Sequence, residues 1–262
     1  MLYVEPYGGL CNRMRCISSA YRYAKENHCK LTIIWCELDE LNCSFNSLFS
    51  LKDNTGIRII NIPYLDDKCF RRIIYRILKR IISLICKNSY IGFNSEKWLP
   101  NLDGCYIRSC EYWYPTDKPY DMFIPKQMIA KRVSDFVSKY ENLIGVHIRR
   151  TDNAVSVEES PTDIYFPIID KVIDCYKNSI IYIATDDKAE IGKIIDKYGS
   201  EKVAYLPKIE RKRNTKKGII DAAVELYILA SCKAIIGSYY SSFTDTAAEI
   251  KGIEKFIAKS GE

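Results

Sequence analysis

The second half of the chain alternates amphipathic segments with short runs of apolar residues. The runs "LIGVHI", "SIIYIAT" and "KAIIGS" are apolar on both faces, which is typical of buried parallel strands. Segments with helical spacing, such as "KQMIAKRVSDFVSKYE" and "DKAEIGKIIDKYG", separate them. This regular alternation predicts a doubly wound α/β domain over residues 125–262.

The first half begins with the same pattern. "LYVEPYGG" predicts a strand and a tight turn, a helical spacing follows to Glu26 with Asn12 as its predicted cap, and "KLTIIW" predicts a second strand. "IRIINI" and "GCYIRS" are further strand candidates. A strand-helix-strand unit normally builds a parallel sheet with a right-handed crossover. We therefore expect residues 1–124 to form a second, Rossmann-like domain.

Residues 69–87, "CFRRIIYRILKRIISLICK", combine a broad apolar stripe with many basic side chains. Two interpretations are open. A domain helix would bury its apolar face and leave its arginines in water, and the breadth of the stripe favours this interpretation. An interfacial helix would instead lie on an anionic membrane, as a peripheral contact.

The composition is that of an ordinary globular protein. Of the 262 residues, 47% are hydrophobic and 27% are charged, and the net charge of +6 favours anionic partners without choosing among them. The 11 cysteines are scattered and follow no leader segment, so we expect reduced thiols in a cytosolic protein. Cys and His do not have the spacing of zinc ligands, so no metal is expected.

Four predicted strands end in polar residues. In chain order these are Gly8 to Arg13, Arg149 to Asp152, Asp186 with Asp187, and Tyr239 to Ser242. Ligands of open parallel sheets bind beyond the carboxyl ends of the strands, so one shared site is predicted. Paired arginines and the start of a helix match the oxygens of a diphosphate. The chain lacks the GxxxxGK[ST] and GxGxxG motifs and any Asp-x-Asp pair for a divalent cation, so arginine and amide donors would neutralise that diphosphate.

The segments "GVHIRRTDNA", "IYIATDD" and "LASCKAIIGSYYSSFTDTAAEIKG" resemble three C-terminal motifs shared by α1,6-fucosyltransferases, nodulation fucosyltransferases and protein O-fucosyltransferases. "GGLCNRMR" resembles their N-terminal glycine loop and the start of bacterial α1,2-fucosyltransferases. The resemblance is strongest over residues 145–252. It implies a GT-B fold, with two Rossmann-like domains whose parallel sheets face each other across a cleft. It also implies an inverting, metal-independent transfer of fucose from GDP-fucose to a glycan hydroxyl, with the acceptor chosen by the N-terminal domain.

The same resemblance implies roles for individual residues. His147 would contact guanine or ribose, Arg149 the β-phosphate, and Glu225 would replace an aspartate that the relatives place on guanine. The remaining positions with an implied donor-binding role are Gly9, Asn12, Arg13, Arg150, Asp186, Asp187, Ser241 and Ser242. Because side chains alternate in direction along a strand, Arg150 has the alternative of pairing with the other domain or with Asp186.

The catalytic base is left open among three carboxylates, Asp152, Glu158 and Glu159. Core α1,6 enzymes place a lysine straight after the motif's aspartate, where this chain has Asn153, and the loop that follows is one residue shorter here. Glu158 and Glu159 are therefore equal matches for the relatives' loop glutamate. Arg149 counts as the fourth catalytic residue, because it would stabilise the charge that develops on the leaving GDP.

Two rival functions also stay open. The same fold could use another GDP-hexose donor, because no motif contacts the sugar ring uniquely. A non-catalytic nucleotide-sugar or nucleic-acid binding protein is suggested by the basic segments, including residues 209–218, which are predicted to be a mobile, solvated loop. The chain has no RRM, KH or helix-turn-helix pattern, so no nucleic-acid partner is expected. Asp221 is predicted to lie on a helix surface.

The expected product of the leading function is a bacterial surface polysaccharide or a lipid-linked oligosaccharide. The expected location is the cytosol or the inner face of the membrane.

Overall fold

The computed structural model describes residues 1–52, 56–64, 68–92, 101–117, 119–151 and 153–261. Asp152, one of the candidate bases, lies outside the described residues. The chain divides into two compact units, residues 1–126 with 212–220, and residues 127–211 with 221–262. Residues 212–220, which the sequence placed in the C-terminal half, thus group with the first unit. The boundary at residue 125 between two folding domains stays a prediction.

The first unit is built on a five-stranded parallel sheet in the order β4-β2-β1-β6-β5. Its elements are β1 (Leu2–Pro6), α1 (Leu10–Glu26), β2 (Leu31–Cys36), α2 (Phe45–Leu48), β3 (Phe49–Leu51), β4 (Ile57–Ile62), α3 (Lys68–Ile85), β5 (Asn88–Ile91), β6 (Cys105–Ser109) and β7 (Phe123–Pro125). β3 and β7 form a separate antiparallel pair. Every residue of β2 is buried, as the apolar run "LTIIWC" requires. The predicted strand-helix-strand pattern is confirmed.

The helix α1 begins directly after the turn at Gly8 and Gly9. Gly9 is the N-cap, and Gly8 has φ +81°, a left-handed conformation that favours glycine. The prediction that Asn12 caps this helix is wrong, because the tight glycine turn starts the helix earlier and puts Asn12 inside its first turn.

The second unit has a five-stranded parallel sheet in the order β10-β9-β8-β11-β12. Its elements are α4 (Gln127–Val137), β8 (Asn142–Ile148), α5 (Ala154–Glu159), α6 (Thr162–Cys175), β9 (Ser179–Thr185), α7 (Lys188–Tyr198), a 3₁₀ turn (Ser200–Lys202), β10 (Val203–Ala204), α8 (Lys216–Leu229), β11 (Ala234–Ser238), α9 (Ser242–Lys251) and β12 (Glu254–Ala258). The first five residues of α8 group with the first unit and the rest of the helix with the second. The predicted doubly wound α/β pattern is confirmed. The pattern missed β12, a partly polar strand at the edge of the sheet.

The helix α3 differs from the favoured interpretation of residues 69–87. Ile82 is 4% exposed, and Ile74 and Leu78 are half-buried. Other apolar positions lie in water: Phe70, Ile73, Ile77, Ile81 and Ile85 are 44% to 54% exposed, and Leu84 is 82% exposed. The expectation of a buried apolar face is therefore wrong for most of the stripe, because the sheet covers only one arc of it.

Residues 209–218 are held at several points. In the first unit, Asn42 donates from N to the carbonyl of Arg213 (3.1 Å) and from Nδ2 to that of Asn214 (3.0 Å). In the second unit, Arg211 Nε donates to the carbonyl of Thr185 (2.8 Å). The prediction of a freely solvated loop is wrong at these residues, because hydrogen bonds to distant parts of the chain anchor them.

No described helix combines the length and the apolar character needed to cross a membrane. The cysteines that the structure describes are free thiols. Within the described residues, no group of three or more His, Cys, Asp or Glu side chains is placed to hold a metal ion.

Candidate functional site

Three neighbouring strands of the second unit end side by side. β8 lies between β9 and β11, and the three strands are parallel. The residues that follow them therefore share one edge of the sheet. They are Arg149 to Thr151 after β8, Asp186 and Asp187 after β9, and Tyr239 to Ser241 after β11. The structure thus brings these predicted strand-end residues together within one unit.

The carboxylate of Asp186 organises the turn after β8. It accepts hydrogen bonds from N of Arg150 (2.8 Å), N of Thr151 (3.2 Å) and Oγ1 of Thr151 (2.8 Å). Its Oδ2 also lies 3.3 Å from Nε of Arg149, and both side chains are 15% exposed. Charge-assisted bonds to main-chain amides fix a turn more firmly than an exposed ion pair does. Asp186 therefore positions the arginine turn.

Arg149 is held from both neighbouring strands. Its N donates to Oγ of Ser238 on β11 (2.9 Å), while its guanidinium pairs with Asp186 after β9. The Ser238 hydroxyl in turn lies 2.6 Å from the hydroxyl of Tyr165, a fully buried residue of α6. An arginine ordered in this way at a partly exposed strand edge can receive an anion with little reorganisation.

Arg150 has a different environment from Arg149. Its Nε lies 3.2 Å from Oε1 of Glu190, and its NH2 donates to Oγ1 of Thr162 (3.1 Å). Burial works to raise the pKa of Glu190, but hydrogen bonds from Thr162 and Lys193 and the Arg150 charge lower it on balance. Only the main chain of Arg150 contacts Asp186, so the suggested side-chain pairing with Asp186 is replaced by one with Glu190. Glu190 is not among the residues predicted from the sequence, although an acid in the first turn after "ATDD" is a visible signal.

His147, near the end of β8, is buried among the same elements. Its Nδ1 lies 2.8 Å from Oγ1 of Thr244, and its ring stacks on Phe243 with centroids 4.9 Å apart. Burial, and then the positive charge of Arg149, lower the pKa of His147 to about 3. A neutral imidazole offers one donor and one acceptor, which suits a hydroxyl group or the edge of a base rather than a phosphate.

The helix α9 begins at this edge of the sheet. Ser241 is its N-cap and Ser242 its first residue. A Cβ on Gly237 would overlap the side chain of Thr244, so glycine at this position allows the first turn of α9 to pack against β11. The amides of that turn carry partial positive charge, which favours an anion.

Asn153, where the chain departs from the resembled motif, has a structural role. Its Oδ1 accepts from N of Ser156 (3.2 Å) and caps α5, while its Nδ2 donates to the carbonyl of Tyr240 (2.9 Å). Tyr240 has φ +55°, so this bond supports a left-handed residue in the turn before α9. A lysine has no acceptor and could not cap α5 in this way.

The acids around α5 and α7 are less alike than the sequence suggested. Glu158 is exposed, whereas Glu159 is half-buried and its carbonyl accepts from N of Ser260 (2.8 Å). Both stay candidate bases. Asp187 has a local role, because its Oδ1 accepts from N of Ala189 (2.9 Å) and caps α7.

A further pair of acids lies on α8. Burial, opposed by the charge of Arg211, raises the pKa of Glu225 to about 8, so this carboxyl is mostly protonated at neutral pH. Asp221 is 2% exposed, and its Oδ1 lies 2.7 Å from NH1 of Arg132. The prediction of a surface position for Asp221 is wrong, since its arginine partner on α4 is distant in sequence and left no local signal.

In the first unit, the glycine loop is shaped by Arg13. Its Nε donates to the carbonyl of Gly8 (2.8 Å), and its NH1 donates to the carbonyl of Cys36 (2.5 Å). The side chain is fully buried, and burial lowers the pKa of Arg13 to about 10. These bonds fix the loop on which Gly9 and Asn12 lie. A direct contact of Gly9, Asn12 or Arg13 with a donor stays a prediction.

Glu5, a carboxylate on β1 that is 1% exposed, is also not among the residues predicted from the sequence. Its oxygens accept from the hydroxyls of Tyr75 (2.5 Å) and Tyr106 and from Nε of Arg108 (2.9 Å), and Nζ of Lys79 lies 3.7 Å away. Each of these groups donates to or neutralises the carboxylate. Glu5 is therefore the centre of a closed polar network inside the first unit.

A pocket of about 370 Å³ lies at the carboxyl ends of β2, β4 and β6 in the same unit. It is lined by Cys36, Glu37, Leu38, Ile62, Pro63, Arg72, Ile74, Tyr75, Arg76 and Arg108. The lining combines apolar walls with three arginines. Such a pocket suits a ligand that has both an apolar surface and negative charge.

Two Rossmann-like units with five-stranded parallel sheets define an α/β fold of the GT-B type, the fold of fucosyltransferases. The chain is similar to a NodZ alpha-1,6-fucosyltransferase soaked with GDP-fucose, at 15% identity and a TM-score of 0.64 over 95% of this chain and 92% of that one. It is also similar to a mutant of Arabidopsis thaliana FUT1 in complex with GDP, at 12% identity and a TM-score of 0.64 over 98% of this chain and 69% of that one. A third similar structure is POFUT1 in complex with GDP (11% identity, TM-score 0.60, 98% of both chains). No protein-family model and no curated protein matches the sequence.

Proposed function

We propose that this chain is a glycosyltransferase that takes fucose from GDP-fucose and transfers it, with inversion, to a hydroxyl group of a glycan acceptor. The fold supports this proposal, because similar structures were obtained with GDP or GDP-fucose. One observation carries it for this chain. The Asp186 carboxylate binds the amides of the turn after β8 and so orders Arg149 at the edge of the sheet where α9 begins.

The reaction would need positive charge where GDP departs. The bond between fucose and the β-phosphate breaks, and the diphosphate keeps the electron pair. In the proposed reaction Arg149 and the first amides of α9 stabilise that charge, and no metal ion or other cofactor takes part. His147, neutral because it is buried, would contact the ribose or the guanine. The acceptor oxygen bonds to the anomeric carbon of fucose on the face opposite the diphosphate, and the hydroxyl proton passes to Asp152, Glu158 or Glu159.

The pocket of the first unit supports an acceptor role for that unit. Its apolar walls can pack against the faces of sugar rings, and the exposed Arg72 and Arg76 suit a phosphate or carboxylate on the acceptor. We therefore propose an anionic acceptor, such as a surface polysaccharide precursor or a lipid-linked oligosaccharide. The proposed place of action is the cytosol or the inner face of the membrane.

A nucleotide panel tests the donor class. GDP should raise the thermal midpoint of the protein, whereas UDP, ADP and a short RNA should leave it nearly unchanged. Stabilisation by RNA without a response to GDP would contradict the proposal.

Donor turnover then separates the remaining alternatives. GDP-fucose and GDP-mannose are each incubated with the protein and a glycan array, and released GDP and labelled product are measured. Transfer from GDP-fucose supports the proposal, and transfer from GDP-mannose alone assigns another hexose. GDP binding with no turnover of either donor indicates a non-catalytic binding protein.

A further inference from the structure

The outer side of α3 carries more exposed large apolar side chains than any other helix or strand that the structure describes. Five of them recur at spacings of three and four residues and form a line along the helix: Phe70, Ile73, Ile77, Ile81 and Leu84. We call these five residues the outer stripe. Contiguous apolar surface of this kind on a folded protein usually marks an interaction surface.

The outer stripe is not needed to attach α3 to its own unit. The other side of the helix already packs inward, where Ile82 is buried and Tyr75 and Leu78 pack with it. Tyr75 and Lys79 also reach the Glu5 network. The attachment of the helix and its exposed stripe therefore use different arcs, which leaves the stripe available to a partner.

The charges on α3 identify the chemistry of that partner. Residues 68–85 contain no Asp or Glu, and Arg72, Arg76 and Arg80 are exposed on the helix. Arginine can hold its apolar stem against a lipid surface while its guanidinium reaches phosphate groups. A row of apolar side chains flanked by arginines is the pattern of a helix that lies in the interface of an anionic bilayer.

We propose that the outer stripe, with Arg72, Arg76 and Arg80, docks on a bilayer that contains anionic phospholipids. A second copy of the chain fits this face less well. In a symmetric dimer the same patch faces itself, and the arginines of one copy would approach those of the other without carboxylates on the helix to neutralise them. Arg72 and Arg76 also line the pocket proposed for the acceptor, so vesicle binding is measured without donor or acceptor and does not depend on the transferase activity.

Sedimentation with vesicles tests the proposal. The wild-type chain should bind mixed phosphatidylcholine and phosphatidylglycerol vesicles, bind phosphatidylcholine vesicles much more weakly, and lose affinity as salt is added. The variant Ile73→Ser/Ile77→Ser should bind the mixed vesicles at least about tenfold more weakly. The variant Arg72→Gln/Arg76→Gln/Arg80→Gln should bind the mixed vesicles on the order of a hundredfold more weakly.

Matched control variants show whether vesicle binding depends on the outer stripe and its arginines or on exposed apolar and charged side chains in general. Ile124→Ser/Met128→Ser removes two side chains that are 47% and 53% exposed elsewhere, close to the 44% and 54% of Ile73 and Ile77. Lys139→Gln/Lys171→Gln/Lys177→Gln removes three exposed charges from the second unit. Both controls should bind vesicles like the wild type, and far-ultraviolet circular dichroism should show that all variants are folded.

Three results would overturn the proposal. The first is no binding of wild type to the mixed vesicles. The second is equal binding by the α3 variants and their controls. The third is a concentration-dependent dimer, seen by analytical ultracentrifugation, that Ile73→Ser/Ile77→Ser dissociates while vesicle binding is absent.

Discussion

Glu5 lies on β1 of the first unit, and Asp186 comes directly after β9 of the second unit. Both are carboxylates, but they bind different kinds of group. Glu5 is 1% exposed, and the groups around it are the side chains of Tyr75, Tyr106, Arg108 and Lys79. Asp186 instead binds main-chain amides of a turn and lies beside Arg149, and both of these side chains are 15% exposed. The first network closes on itself and stabilises a core. The second orders a segment that reaches the surface, which is what a binding site requires.

The largest expected effect comes from removing the arginine that the second network orders. Arg149→Ala should lower fucose transfer on the order of a hundredfold or more, since it removes a positioned donor from the departing diphosphate. Thermal unfolding should show a folded protein. The control Arg58→Ala removes an exposed arginine from β4 and should keep wild-type turnover. If Arg149→Ala transferred fucose nearly as fast as the wild type, Arg149 would not be the residue that stabilises the departing diphosphate.

The next largest effect is on the free energy of unfolding, which Glu5 and Asp186 should affect to different extents. Glu5→Gln puts a neutral group in the core beside the half-buried Arg108 and Lys79, so urea denaturation should show a loss of about 3 kcal/mol. Asp186→Asn keeps the shape of the side chain but weakens its bonds to the turn, and we expect a loss of about 1 to 2 kcal/mol. Equal losses of unfolding free energy in the two variants would show that the networks around Glu5 and Asp186 do not differ in their role.

The free energy of unfolding, measured over a series of pH values, tests whether burial keeps His147 neutral. The pKa of folded His147 is about 3, and that of an unfolded histidine is about 6.5, so between these pH values the unfolded state binds more protons. Its contribution to stability is therefore complete above pH 6.5 and is lost as the pH falls, by up to ~1.4 kcal/mol per pH unit. His147→Gln should flatten this part of the stability curve.

The other histidine provides the control for that series. His28 is exposed and has φ +50°, which asparagine tolerates, so His28→Asn should leave the curve as in the wild type. An unchanged slope in His147→Gln would show that His147 is not kept neutral by burial.

The smallest expected effect concerns the cap of α5. Asn153→Ala should lower the free energy of unfolding by about 1 kcal/mol, because the amide of Ser156 and the carbonyl of Tyr240 lose a partner. Asn153→Lys should cost a similar amount, whereas Asn46→Ala on α2 should cost less. A stabilised Asn153→Lys variant would show that the turn before α9 does not depend on Asn153.

The fold could be predicted from the sequence because its signals are local. Each strand of the second sheet before β12 is a short apolar run between helical segments, and β12 was missed because its first two residues are polar and exposed. The orientation of α3 was not predictable in the same way. Its apolar stripe is wider than the contact it makes, and no local signal tells which arc faces the sheet.

The site was predictable in its residues but not in their partners. A strand end with Arg149 and Arg150 is visible in the sequence, whereas the pairing of Arg150 with Glu190 depends on how α7 packs. Arg13 and Asp221 show the same limit. Both are charged residues, a type that usually lies at the surface, and only the tertiary structure reveals that each is buried against distant partners.

The proposed function requires that the edge of the sheet ordered by Asp186 binds the diphosphate of GDP. Calorimetric titration of GDP into the wild type, Asp186→Asn and Glu5→Gln tests this claim most directly. We expect equal affinity for the wild type and Glu5→Gln. Asp186→Asn should bind GDP at least about tenfold more weakly than the wild type, because a disordered turn at Arg149 and Arg150 binds an anion poorly. Equal affinities in all three proteins would contradict it.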